Sequence, residues 1–171
     1  MARPSAYLIC ILTLTSCAAP GDTSQNARLY RTGNPDFDRM LALSITIAEE
    51  ILARDASFVP FAAAVRTNGE LAAVLTFEPM LTTPEAVNRT VGELSRGALT
   101  GLYRATAICT DVIAPIRDNS SRSDAISILL EDEAGSRGFI LPYRRTDDGL
   151  RFGTAYFRHE RSLVFRPATA M

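Results

Sequence analysis

Residues 58–78, FVPFAAAVRTNGELAAVLTFE, are two apolar runs joined by Thr67-Asn68-Gly69-Glu70. Asn-Gly between such runs is a strong hairpin signal, because the two-residue turns that match strand twist need positive φ at both central positions. The stretch therefore predicts a β-hairpin with a two-residue turn at Asn68-Gly69, and Pro60 near its start predicts an edge or a bulge there. A hairpin flanked by helical sequence on both sides decides the fold class.

Upstream, Asn34 reads as an N-cap, Pro35 sits at the first helical position, and Asp36 and Asp38 place carboxylates at the positive helix end. Phe37, Met40, Leu41, Ser44, Ile47, Ala48, Ile51 and Leu52 recur at three- and four-residue intervals, predicting a helix to about Arg54 with a Glu50/Arg54 pair. Downstream, Thr82 or Thr83 caps a second helix with Pro84 in its first turn, Glu85 completing a capping box from Thr82, and Gly101 as its stop. Its expected buried stripe is Val87, Val91, Leu94 and Ala98, and Gly92 and Gly97 weaken it while permitting close packing. Four strand-like runs follow: Leu102 to Ile113, Asp124 to Asp132, Arg137 to Arg144 and Leu150 to Phe157. Glu133-Ala134-Gly135-Ser136 and Asp147-Asp148-Gly149 join neighbours as antiparallel hairpins.

The sum is a single α+β domain at 34–160, with a mostly antiparallel sheet of five to six strands and two main helices in the order α-β-β-α-β-β-β-β. Residues 161–171 form a C-terminal tail, with a possible short strand around Leu163 to Phe165. Both parities of the sheet strands are apolar: Ile126, Ile128 and Leu130 against Ala125, Ser127 and Leu129, and Ala105, Ala107 and Cys109 against Leu102, Ile108 and Val112. A sheet with one wet face alternates more cleanly. The second face must be covered by the second helix, by the tail or by another copy of the chain.

The N-terminus supplies an address. Arg3 precedes an apolar stretch, Ala6 to Leu14, of signal-peptide length and too short for a membrane span. Leu14-Thr15-Ser16-Cys17 resembles the lipobox of bacterial lipoproteins, position for position. The resemblance implies that residues 1–16 are removed and that Cys17 becomes an acylated N-terminus, with 17–33 as a flexible tether rich in Pro, Gly, Ser and Asn. At about 0.8 kcal/mol per buried methylene, two or three acyl chains hold a domain on a membrane almost permanently. In lipoproteins of this kind an aspartate after the cysteine favours the inner membrane; with Ala18 in that place the resemblance implies an outer-membrane protein facing the periplasm, and membrane lipid and an envelope protein or a second copy are the expected partners. An ordinary signal peptide cut near Ala18 or Ala19 is the alternative.

The element order resembles that of roadblock-like and profilin-like folds. The segments 58–70, 124–135 (DAISILLEDEAG) and 140–145 (ILPYRR) are similar to those of a widespread uncharacterised bacterial family. These similarities imply architecture and carry no activity.

Composition narrows the chemistry. The chain has 171 residues, 47% of them hydrophobic, and a formal net charge of -1, which gives no electrostatic reason to bind nucleic acid. Every basic residue is arginine, which suits planar recognition of carboxylate or phosphate or reflects GC-rich coding. No Walker loop, G-x-S-x-G elbow or H-E-x-x-H motif is present, and no cofactor or metal is expected. His159, the single histidine, is the candidate base of a periplasmic hydrolase with Asp111 or Glu160; a solvated strand end is the simpler reading. Cys109, which keeps no intramolecular partner, reads as a small buried hydrophobe. The acids Glu131, Asp132, Glu133, Asp147 and Asp148 read as solvated turn residues. Tyr143, Arg144 and Arg145 follow Pro142 on an expected edge strand and are the candidate binding residues for a partner strand or an acidic peptide; the simpler reading is that Pro142 and the arginines keep that edge from aggregating. A non-catalytic protein-binding module is the expectation, with the hydrolase and a self-protection or stress lipoprotein as alternatives.

Overall fold

The structure, a computed structural model, describes residues 10–12, 30–75, 83–116 and 121–165. It is an α+β domain with helices α1 (Pro35–Leu52) and α2 (Thr83–Leu99) and strands β1 (Cys10–Leu12), β2 (Phe61–Arg66), β3 (Leu71–Leu75), β4 (Tyr103–Pro115), β5 (Arg122–Asp132), β6 (Gly135–Thr146), β7 (Gly149–Phe152) and β8 (Tyr156–Arg158). The sheet is antiparallel throughout in the order β1-β3-β2-β4-β5-β6-β7, and β8 shares the outer side of β6 with β7. The fourth expected strand is thus two strands, broken at Gly153-Thr154-Ala155. Among the described residues no helix is long and apolar enough to cross a membrane.

Asn34 caps α1 as expected, its side chain accepting from the N–H groups of Asp36 and Phe37. Arg54 donates to the Glu50 main-chain carbonyl instead of pairing with its carboxylate. The hairpin connection is one residue longer than a two-residue turn. Gly69 N–H donates to Arg66 O, and Arg66 N–H to Glu70 O, so Thr67, Asn68 and Gly69 form the loop, with Gly69 at φ 88°. A left-handed glycine closing a three-residue loop is the next commonest hairpin geometry. β2 lies inside the sheet between β3 and β4; Pro60 just precedes it, and the register shift falls at Val65/Arg66.

Small residues let both helices approach this centre. On one face Phe61, Ala63, Val65, Ala105, Ala107 and Cys109 meet Phe37, Met40, Leu41, Ile45, Ala48 and Leu52 of α1, with Ile126, Ile128, Leu130 and Phe139 extending the layer. Burying a side chain of that size contributes about 1.5–3 kcal/mol. Tyr30 packs edge-on to Phe139, with ring centroids 4.9 Å apart, so the packed domain reaches back beyond Asn34. The second face is covered by α2 and the tail: Leu94 and Val164 close over Ala62, Ala64, Val74 and Ile108.

The buried stripe of α2 runs through Ala86, Thr90, Leu94 and Gly97: Leu94 is as expected, whereas Val87, Val91 and Ala98 each stand one position past a buried residue, Val91 and Ala98 packing half-buried. Gly97 lies against the Tyr103 ring, whereas Gly92 faces open space. Gly101, at φ 72°, ends the helix: its N–H donates to Ala98 O and the Leu102 N–H to Gly97 O, the paired bonds of a left-handed helix stop. The Thr82 cap lies outside the described residues.

Candidate functional site

At one end of the sheet β4 and β6 finish and β5 and β7 begin. The turn at Asp147-Asp148 pairs Thr146 with Gly149, which puts Arg145 opposite Leu150, Arg144 opposite Arg151 and Tyr143 opposite Phe152. Two adjoining concavities open here, of about 410 Å³ and about 550 Å³, sharing Ser123, Tyr143 and Arg144. Arg151 lines the first; Arg122 and Arg145 line the second.

Tyr143, Arg144 and Arg145 all border these concavities, but they alternate across the sheet, Tyr143 and Arg145 toward α1 and Arg144 away from it, and they do not lie on an edge. β6 is paired with β5 on one side and with β7 and β8 on the other. Pro142 is tolerated inside the sheet because of where its missing donor points. Its carbonyl accepts from Gly153 N–H at 2.8 Å, and the nitrogen of a strand residue points to the same side as its carbonyl. The absent N–H thus falls at the seam between β7 and β8.

Each guanidinium has a different engagement. Arg145 donates to the Asp55 carbonyl, Arg122 to the Ile113 carbonyl at 2.8 Å, and Arg151 pairs with exposed Asp148 at 3.1 Å. Arg144 is exposed and has no carboxylate partner among the described residues. Ser123 Oγ donates to Tyr143 O at 2.8 Å and ties β5 to β6 beneath the groove.

Tyr143 itself is buried, and its hydroxyl donates to Asp111 Oδ1 at 3.0 Å. Burial, with the Asp111 carboxylate beside it, pushes the phenol well above its ordinary value. Burial also raises Asp111, more than the Tyr143 hydroxyl, the Phe58 N–H and Arg145 lower it, and Asp124 adds to the rise. This acid is half-buried and structural in its contacts.

His159 stands just past β8 with its ring exposed and makes no hydrogen bond or ion pair among the described residues. Glu160 is engaged with Arg158, and Asp111 lies on β4, separated from β8 by β5 and β6. The structure does not bring the hydrolase candidates together. Cys109 is fully buried, and burial pushes its thiol up, which suits packing and not nucleophilic work. Cys17 and its lipobox lie outside the described residues.

One expectation is overturned by Glu131. It is 1% exposed, and its carboxylate accepts from Ser162 Oγ (2.7 Å) and from the N–H groups of Leu163 (2.8 Å), Val164 (2.8 Å) and Phe165 (3.3 Å). It is a buried clamp on the tail rather than a solvated turn acid, and the tail is held by it rather than by strand pairing. Asp132 does serve its turn, accepting from Ala134 and Gly135 N–H.

Arg122 and Arg151 are the arginines that the sequence reading missed here, and Arg151 was the one within reach of it. A two-residue turn at Asp147-Asp148 fixes the β6/β7 register, so its position opposite Arg144 could have been counted from the turn. Comparison with family models, with curated proteins and with solved structures finds no match to this chain.

Proposed function

We propose that this chain is a lipid-anchored envelope protein whose domain binds another protein without catalysing a reaction. Anchoring rests on Leu14-Thr15-Ser16-Cys17 behind an apolar leader; acylated Cys17 and the leash after it hold the domain at the outer membrane, facing the periplasm. The observation that carries binding is the pair of adjoining concavities bordered by Arg144 and Arg151 in one and by Arg122, Arg144 and Arg145 in the other. Arginine side chains around a concave rim suit protein recognition.

A second surface supports the same reading. Cys10–Leu12 pairs with β3 through Cys10↔Leu75, Ile11↔Val74 and Leu12↔Ala73. Removal of residues 1–16 would leave the Leu71–Leu75 edge open, and that edge carries neither charge nor proline, the usual guards against strand addition.

Mass spectrometry of the protein from native membranes tests the anchor: a mature N-terminus at Cys17 carrying acyl chains is expected. An unmodified product retaining Met1 would end the proposal. Crosslinking in intact cells tests binding, with a discrete partner or self-crosslinked band expected and persistent absence of any band counting against it.

A further inference from the structure

We infer that the groove at the β5/β6/β7 end is a carboxylate site, and that the partner it takes is an acidic peptide segment; this rests on the binding role proposed above and names its chemistry. Arg144 and Arg151 are directly opposed on adjacent antiparallel strands, so both side chains project from the same side of the sheet. Like charges in that relation destabilise a strand pair. A local rule broken with only partial internal compensation points to a function that needs it.

Compensation within the groove is partial. Asp148 pairs with Arg151, but the pair is open to water, with the side chains 67% and 80% exposed, so solvent screens most of it. Arg144 has no carboxylate partner among the described residues. A carboxylate entering the concavity of about 410 Å³ meets Arg144 and Arg151 together. It can take planar two-point hydrogen bonds from a guanidinium and remove the repulsion between the two. Pro142, on the same face as Arg144, lines the same concavity and supplies an apolar contact for the methylenes of a glutamate. The site formed by Arg144 and Arg151 takes one acidic side chain of such a segment, and Arg145, which reaches the Asp55 carbonyl on the opposite face, has no part in it.

The experiment uses the full chain, purified in detergent, and a fluorescent peptide of consecutive glutamates read by anisotropy. Saturable binding that weakens with salt is expected, with a loss of about tenfold or more in Arg144→Gln and in Arg151→Gln. Asp148→Asn, which frees Arg151, should tighten binding. Arg144→Thr should abolish binding and raise the melting temperature of the free protein, because it relieves the cross-strand repulsion; that second readout separates a binding loss from a folding loss. Unchanged affinity in Arg144→Gln, or a lower melting temperature in Arg144→Thr, would overturn the inference. So would binding of inorganic phosphate, or of phosphatidylglycerol vesicles, with no binding of the glutamate peptide. Cellular crosslinks that persist in the Arg144→Gln/Arg151→Gln variant fault this site alone, whereas absence of acylation or of any crosslink faults the broader role.

Discussion

The Glu131 carboxylate accepts the Val164 N–H at 2.8 Å across 33 positions of sequence, and this contact fixes the tail against the sheet. With Ser162, Leu163 and Phe165 also donating, one buried anion satisfies four donors. Glu131→Ala should therefore lower stability by about 3 kcal/mol or more, since the main-chain groups lose a charged acceptor in a dry site. Trypsin should then cut after Arg161 faster than in the parent protein, because the strap no longer holds the chain in place. Deleting residues 162–171 should cost a similar amount by stranding the carboxylate, and the combined variant should lose much less than the sum of the two. Urea midpoints check the energies; additive losses would show that the clamp and the tail act independently.

Gly97 and Gly92 sit five residues apart on α2 and should answer the same substitution with opposite signs. A Cβ at Gly97 would stand 2.3 Å from the Tyr103 ring, whereas nothing lies within 4 Å of one at Gly92. Gly92→Ala gains helix propensity and should stabilise by about 0.5–1 kcal/mol. Gly97→Ala makes the same gain but overpacks the helix against β4, and should destabilise by about 1–3 kcal/mol net. Thermal melts of the two variants decide it, and Tyr103→Ala should relieve the second.

These two cases show where sequence reading stopped. Asn34-Pro35 and the three- and four-residue apolar spacing made α1 legible, because its cap and core face are local. Asn68-Gly69 located the hairpin but not its loop length, which depends on hydrogen bonds closed by Arg66 and Glu70. Glu131 resembled its neighbours Asp132 and Glu133, and nothing local tells a buried carboxylate from a solvated one when the donors are supplied by the far end of the chain. Pro142 suggested an edge because a missing donor is harmless there. The seam between β7 and β8 provides the same tolerance inside the sheet and could not be foreseen while those strands read as one. Legibility in the groove was likewise partial: Tyr143, Arg144 and Arg145 were visible as a cluster, and the meeting of Arg144 with Arg151 needed the register.

Tyr143→Phe tests the half-buried acid beneath the groove. Asp111 has a folded-state pKa raised by burial, so its contribution to stability is full below the unfolded value of about 3.9 and is lost as pH rises through the folded value. The Tyr143 hydroxyl limits that loss by donating to the ionised form. Removing it raises the acid further, and the stability gap between parent and variant should open as pH rises above about 4. At neutral pH the gap should be about 1.5–3 kcal/mol, the range for a hydrogen bond to a charged group. Urea denaturation between pH 3 and pH 8 measures it. A gap of constant size would mean that the bond does not distinguish the two protonation states of Asp111.

Asn34 caps α1 with its oxygen while its Nδ2 donates to Asp132 Oδ2 at 2.9 Å. That double use makes asparagine and aspartate unequal here, although the two are interchangeable at most helix starts. Asn34→Ala loses the cap and should destabilise by about 1 kcal/mol. Asn34→Asp keeps the cap but replaces the donor with a second carboxylate facing Asp132, near Asp36 and Asp38 in the first turn. At pH 7 it should destabilise at least as much as alanine does. At about pH 3, where carboxylates take up protons, the order should reverse, because the protonated side chain can donate to Asp132 again. Urea midpoints of the two variants at both pH values test this. If aspartate matched the parent protein at neutral pH, Asp132 would not depend on the Asn34 amide, and the contact between the start of α1 and the β5/β6 turn would carry no energy.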